Sequence, residues 1–133
     1  MTSKGNEYFD DGKHQLAIEQ FTLAILGDSE FEDAYAYRGD SYDQLGQYQQ
    51  AIQDYDNVIQ LDPDNADVYY NRGVANRNLG QHQRAIQDYD QAIRLKPTAW
   101  LYNNRGYAYC NLGQDEKADA DKAKACSLDS KLC

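Results

Sequence analysis

The sequence repeats itself, and the period is the strongest constraint on its fold. Tyr35 to Pro63 laid over Tyr69 to Pro97, an offset of 34, matches at 16 of 29 positions. The shared skeleton is Tyr-x-x-Arg-Gly, Leu-Gly-Gln-x-Gln, Ala-Ile-Gln-Asp-Tyr-Asp and Ile-x-Leu-x-Pro. Tyr69 to Leu95 over Tyr102 to Leu128, an offset of 33, matches at 13 of 27. Backwards by 34, Gly39 lands on Gly5, Tyr42 on Tyr8, Gly46 on Gly12, Ala51 on Ala17 and Tyr55 on Phe21. Four units follow, approximately 1–31, 32–65, 66–98 and 99–132, expected to form one solenoid over residues 1–133. Such units bury their apolar faces only against their neighbours.

Within each unit the spacing is helical. Tyr35, Gly39, Tyr42 and Leu45 step by three and four, as do Ala51, Tyr55, Val58 and Ile59. Gly46, Gly80 and Gly113 break the first helix, and Pro63 and Pro97 close the second. The pattern predicts helices over 2–11, 15–26, 32–45, 49–61, 66–79, 83–95, 99–112 and 116–127, and so an all-α chain. A glycine recurs inside the first helix, as Gly5, Gly39, Gly73 and Gly106, where it costs about 1 kcal/mol relative to alanine. Its recurrence predicts a close approach by the neighbouring helix.

Composition alone points the other way. Leu, Ile, Val and Phe together make only 23 of 133 residues, and the net charge is −9, a combination typical of disorder. The periodic placement of 12 Tyr and 15 Ala restores a core. The acidic charge argues against nucleic acid or an anionic membrane as partner. No apolar run approaches the ~18 residues a spanning helix needs, and the opening residues carry no signal-peptide core.

With this period and skeleton the chain resembles the tetratricopeptide repeat (TPR) family over nearly its whole length. The resemblance implies a right-handed superhelical solenoid of about eight antiparallel helices, with the first helices on the concave face. Its departures are Arg38, Arg72 and Arg105 in a column that prefers leucine, Lys122 in the large aromatic column and Ser130 in the proline column. Met1 falls in the column of Tyr35 and Tyr69, so the first helix is expected to be short, by excision from a longer array or by nature. The charged last helix, with Lys122, suits a terminal cap.

Catalytic chemistry finds little support. His14 and His82 are 68 residues apart, twice the period, in one column two units apart, too far to share a metal with bonds of about 2 Å. No Gly-rich phosphate loop or GxSxG elbow occurs. Cys110, Cys126 and Cys133 form no CxxC pair; Cys126 falls in the column of Ile59 and Ile93, as a core aliphatic would. Such thiols suit a reducing, cytoplasmic setting. The expectation is therefore no enzyme, no cofactor and no metal. Arg38, Arg72 and Arg105 are each followed sixteen residues later by Asp54, Asp88 and Asp121, while unit one has Lys4 and Gln20 there. These columns change together and predict ion pairs between the helices of each unit; a basic stripe for an acidic ligand is the alternative.

The resemblance places function on the first helices. In unit three Asp67, Tyr70, Asn71, Val74, Arg77 and Asn78 share one face, about 200° from Tyr69 and Gly73. Unit four offers Trp100, Asn103, Asn104, Tyr107 and Asn111; unit two Asp33, Ala36, Tyr37, Asp40 and Asp43; unit one Asn6, Phe9 and Asp10. Amides and aromatics suit the backbone of an extended peptide, and the acidic half asks for basic residues in it. The carboxylate-binding pattern of TPR co-chaperones fails, since Thr2, Tyr37, Asp67 and Asn71 stand at its other places beside Asn6. The expected function is a non-catalytic module binding a protein or peptide segment; alternatives are a scaffold fragment of a larger enzyme or regulator, or a self-associating solenoid.

Overall fold

The computed structural model of the chain describes residues 2–133, and side chains from Lys4 onward. Met1 and the Thr2 side chain, both used above, lie outside the described residues. Eight α-helices run in order: α1 Thr2–Asp10, α2 His14–Gly27, α3 Glu32–Gln44, α4 Tyr48–Leu61, α5 Ala66–Asn78, α6 His82–Leu95, α7 Ala99–Asn111 and α8 Asp115–Leu128. A 3₁₀ turn, η1, follows at Ser130–Leu132. Each α-helix lies within one residue of its expected bounds, and no strand occurs among the described residues. The fold is the all-α helical array the repeat requires. No described helix is long and apolar enough to cross a membrane.

The turn inside each hairpin shows why glycine recurs there. At the end of α3 the Gln47 N–H bonds the Tyr42 carbonyl at 2.8 Å and the Gly46 N–H bonds the Asp43 carbonyl at 3.0 Å. This double closure needs a left-handed residue, and Gly46 supplies φ +74°. Gly80 and Gln81 repeat it on Arg77 and Asn76. Entry into α5 and α7 is fixed by side chains: Asn65 Oδ1 accepts from the Val68 N–H and Thr98 Oγ1 from the Leu101 N–H.

The chain divides into two compact units, residues 1–63 and 64–133. In the first, Ala17, Phe21, Ala24 and Ala34 form a core on which Tyr8, Phe9, Ile25 and Phe31 pack. In the second, Ala85, Ile86, Tyr89 and Ala108 gather Tyr70, Val74 and Tyr109, while Ala92, Ile93 and Leu101 gather Tyr69 and Tyr102. The helical glycines Gly5, Gly39 and Gly73 sit against this aromatic column, and Gly106 sits against Asp121 and Lys122. A methyl group on Gly39 would stand 2.7 Å from Tyr55 Cε1, and one on Gly73 would stand 2.7 Å from Tyr89 Cε1. Small residues there let the two helices of a hairpin close on a fully buried ring.

The cysteines depart from expectation. Cys126 does not replace a core aliphatic with a thiol; it is half-buried and joined to Cys133 by a disulfide. The chain turns back through η1 after α8, which brings a residue seven positions on to within a Cα separation of 4.6 Å. Cys110 alone is free, and it is exposed.

Candidate protein-interaction surface

The frame beneath the surface is a set of forked ion pairs. Arg38 donates through Nε and Nη2 to the two Asp54 carboxylate oxygens at 2.8 and 2.7 Å. Arg105 does the same to Asp121 at 2.8 and 2.7 Å, and Arg72 Nη2 meets Asp88 Oδ1 at 2.7 Å. The aspartate side chains are nearly buried, so each charge depends on its partner. These bonds, ahead of burial, which opposes them, raise the pKa of Arg38 and Arg105. Tyrosines add cover, with Tyr35 and Tyr42 near the Arg38 guanidinium and Tyr102 and Tyr109 near that of Arg105. Arg105 also bonds Asp90 at 2.9 Å, and Arg38 bonds Thr22 Oγ1 at 3.2 Å. The arginine column is committed to the fold, which removes the basic-stripe alternative.

In residues 1–63 the candidate face is α1 and α3. Tyr37 is 38% exposed; its ring stacks on Phe21 at 5.6 Å and meets Phe9 edge-on at 6.2 Å. Asp33 is exposed, while Asn6, Asp40 and Asp43 are half-buried. Asp40 Oδ1 accepts the Tyr55 hydroxyl at 2.6 Å. Burial pushes the Asp40 carboxyl up to about 6, with the Tyr55 bond opposing and the Asp43 charge adding. Burial, then the Asp40 charge, raises the Tyr55 hydroxyl as well.

In residues 64–133 the face is α5 and α7. Trp100 and Tyr107 are 56% and 55% exposed, seven residues apart and so on one side of α7. Lys122, which stands in the aromatic column, holds its ammonium 5.4 Å from the Tyr107 ring centroid. Asn71 and Asn103 are half-exposed, and Asp67 is exposed. Asn104 is only 7% exposed: its amide donates to the Trp100 carbonyl at 2.8 Å and its oxygen accepts from Arg77 Nη1 at 3.4 Å. Asn104 thus joins Arg77 on α5 to α7. Tyr70 leans on Tyr89 with ring centroids 6.0 Å apart. Burial pushes the Tyr89 hydroxyl up to about 12, opposed by Arg77; that hydroxyl has no hydrogen-bond partner among the described residues.

The periodicity placed these residues on shared helix faces but could not say which are spent internally. The Asp40–Tyr55 bond occurs in one repeat only, so no recurring column signalled it; Val74 stands in the corresponding place beside Tyr89. His14 and His82 open α2 and α6, and no group of three or more His, Cys, Asp or Glu is placed to hold a metal among the described residues.

Comparison with known proteins agrees with the repeat. Residues 39–80 match the family pattern described as TPR repeat, and residues 66–98 and 101–132 each match a tetratricopeptide repeat. No curated protein matches the chain. Among solved structures, the crystal structure of MamA protein is 30% identical, covers 96% of this chain and 70% of its own, and superposes with a TM-score of 0.91. MamA from Desulfovibrio magneticus RS-1, at 20% identity, supports the fold alone, with a TM-score of 0.93 over 98% of this chain and 74% of its own. The first TPR domain of human RPAP3 is 26% identical with a TM-score of 0.79, covering 86% of this chain and 91% of that domain. The architecture is that of a protein-interaction module, and the chain belongs to the tetratricopeptide repeat family.

Proposed function

We propose that the chain is a non-catalytic interaction module whose α5 and α7 faces take an extended peptide. The observation that carries the reading is the pair Trp100 and Tyr107, more than half exposed on one side of α7 where the repeat core has no use for them. Asn71 and Asn103 supply amides for a peptide backbone, and Trp100 and Tyr107 supply contact area. Asp67, exposed in the first turn of α5, favours a ligand carrying Lys or Arg. Such charges chiefly speed association and make binding sensitive to salt. An open face and a ligand that must be ordered point to micromolar affinity, on the order of −8 kcal/mol.

A peptide-array screen with Asn71→Ala and Trp100→Ala as controls tests it. Basic peptides that bind the parent and are lost by either variant support the reading. Equal binding by parent and variants, or a clear preference for acidic peptides, rejects it.

A further inference from the structure

The segment that follows α8 is fixed by one covalent bond and little else. Asp129 closes α8 through its N–H to the Ala125 carbonyl at 2.9 Å. Beyond that point the hydrogen bonds stay inside the segment. The Lys131 N–H meets Asp129 Oδ1 at 3.0 Å, the Leu132 N–H the Asp129 carbonyl at 3.0 Å, and the Cys133 N–H the Ser130 carbonyl at 3.3 Å. Ser130, Lys131 and Cys133 are exposed and Leu132 is half-buried, so little apolar burial anchors η1. A single 3₁₀ turn has almost no stability of its own in water. The Cys126–Cys133 bond, with Cα atoms 4.6 Å apart, therefore decides where residues 130–133 lie.

The bridged position matters in the repeat. Cys126 stands in the column of Ile93, and Ile93 packs with Ala92 and Leu101, joining α6 to α7. In α8 that position is tied instead to the chain just after it. Cys133 is exposed, so its sulfur is open to an attacking thiolate, whereas Cys126 is half-buried. Cys110 sits beside the α7–α8 turn, while Cys126 lies about 16 Å further along α8, too far for exchange between them. We infer that Cys126–Cys133 is a reversible redox clasp, opened by a dithiol reductant. A thiolate of the reductant attacks the Cys133 sulfur, the S–S bond breaks, and Cys126 leaves as a thiolate and takes a proton. The second thiolate then displaces Cys133, which is protonated in turn, and the reductant departs as a disulfide. Two electrons and two protons pass to the chain. Opening releases residues 130–133 and uncovers the Cys126 position. The hairpin itself stays closed, because the Arg105–Asp121 pair does not involve the bridge.

The test uses the whole chain, with dithiothreitol as the dithiol and glutathione disulfide as the oxidant. Iodoacetamide labelling read by mass spectrometry should find one reactive thiol, Cys110, before reduction, and Cys126 and Cys133 in addition after it. Replacing dithiothreitol by glutathione disulfide should restore the first pattern with no glutathione left on Cys126 or Cys133. Circular dichroism should show the helices intact throughout. The heteronuclear amide NOE of residues 130–133 should match that of α8 before reduction and fall to that of a free segment after it. Cys133→Ser should show the fallen values without reductant, and Cys110→Ser should behave as the parent in both states. All three thiols reactive in the oxidised parent, reduction only where the helices melt, or failure to re-form the bridge overturns the inference. So do equal NOE values in the oxidised parent and in Cys133→Ser.

Discussion

The Tyr55 hydroxyl donates a 2.6 Å hydrogen bond to Asp40, the one carboxylate in its column. Asp40 titrates in the folded chain at about 6, against about 3.9 when unfolded. Between these values the native state holds a proton that the unfolded state has released. Stability contributed at this site therefore falls as pH rises from about 4 to about 6. Asp40→Asn should be close to neutral near pH 4 and stabilising near pH 7, by about 1–2 kcal/mol after allowing for partial exposure. Urea unfolding of parent and variant at both pH values measures it.

Tyr55 and Tyr89 should respond differently to loss of the same atom. Tyr55→Phe removes the hydroxyl that donates to a half-buried carboxylate and should cost about 1.5–3 kcal/mol at neutral pH. Tyr89→Phe removes a buried hydroxyl without a hydrogen-bond partner among the described residues, so it should be neutral or stabilising. Thermal denaturation of the two variants at one pH separates them.

Removing one side of a forked pair should be expensive. Arg72→Ala leaves Asp88, whose side chain is 6% exposed, without its guanidinium and should cost about 3–5 kcal/mol. Replacing both partners by apolar residues should cost less than either single change. A double-mutant cycle in urea gives both numbers.

The glycine column supplies a graded test. Gly73→Ala places a methyl 2.7 Å from the Tyr89 ring and 3.2 Å from Asp88 Cβ. Overpacking of about 1–3 kcal/mol should exceed the roughly 1 kcal/mol gained in helix propensity. Gly106→Ala meets nothing nearer than 3.2 Å, because Lys122 stands where the ring would be, and should cost less. Calorimetric Tm values of the two variants give the order.

The fold was readable because its determinants recur. Helix bounds came from a spacing seen four times, and the Arg38, Arg72 and Arg105 pairs came from two columns that change together. Features present once carried no such signal. The Cys126–Cys133 bridge depends on a turn after α8 that spacing does not specify, and the burial of Asn104 depends on how α5 and α7 pack. A face of the candidate surface could be read from helical period, but the division between Asn104, bonded internally, and the half-exposed Asn71 and Asn103 required the packed structure.

Trp100 is the single tryptophan and is 56% exposed, so it reports directly on its own face of α7. The most direct measurement of peptide binding there is a fluorescence titration of the whole chain with a basic peptide selected from the array. Occupation of the α7 face should shift Trp100 emission to the blue, saturably, with a Kd on the order of micromolar, and weaken as salt rises. Binding detected by calorimetry with no change in Trp100 emission at saturation would contradict the account.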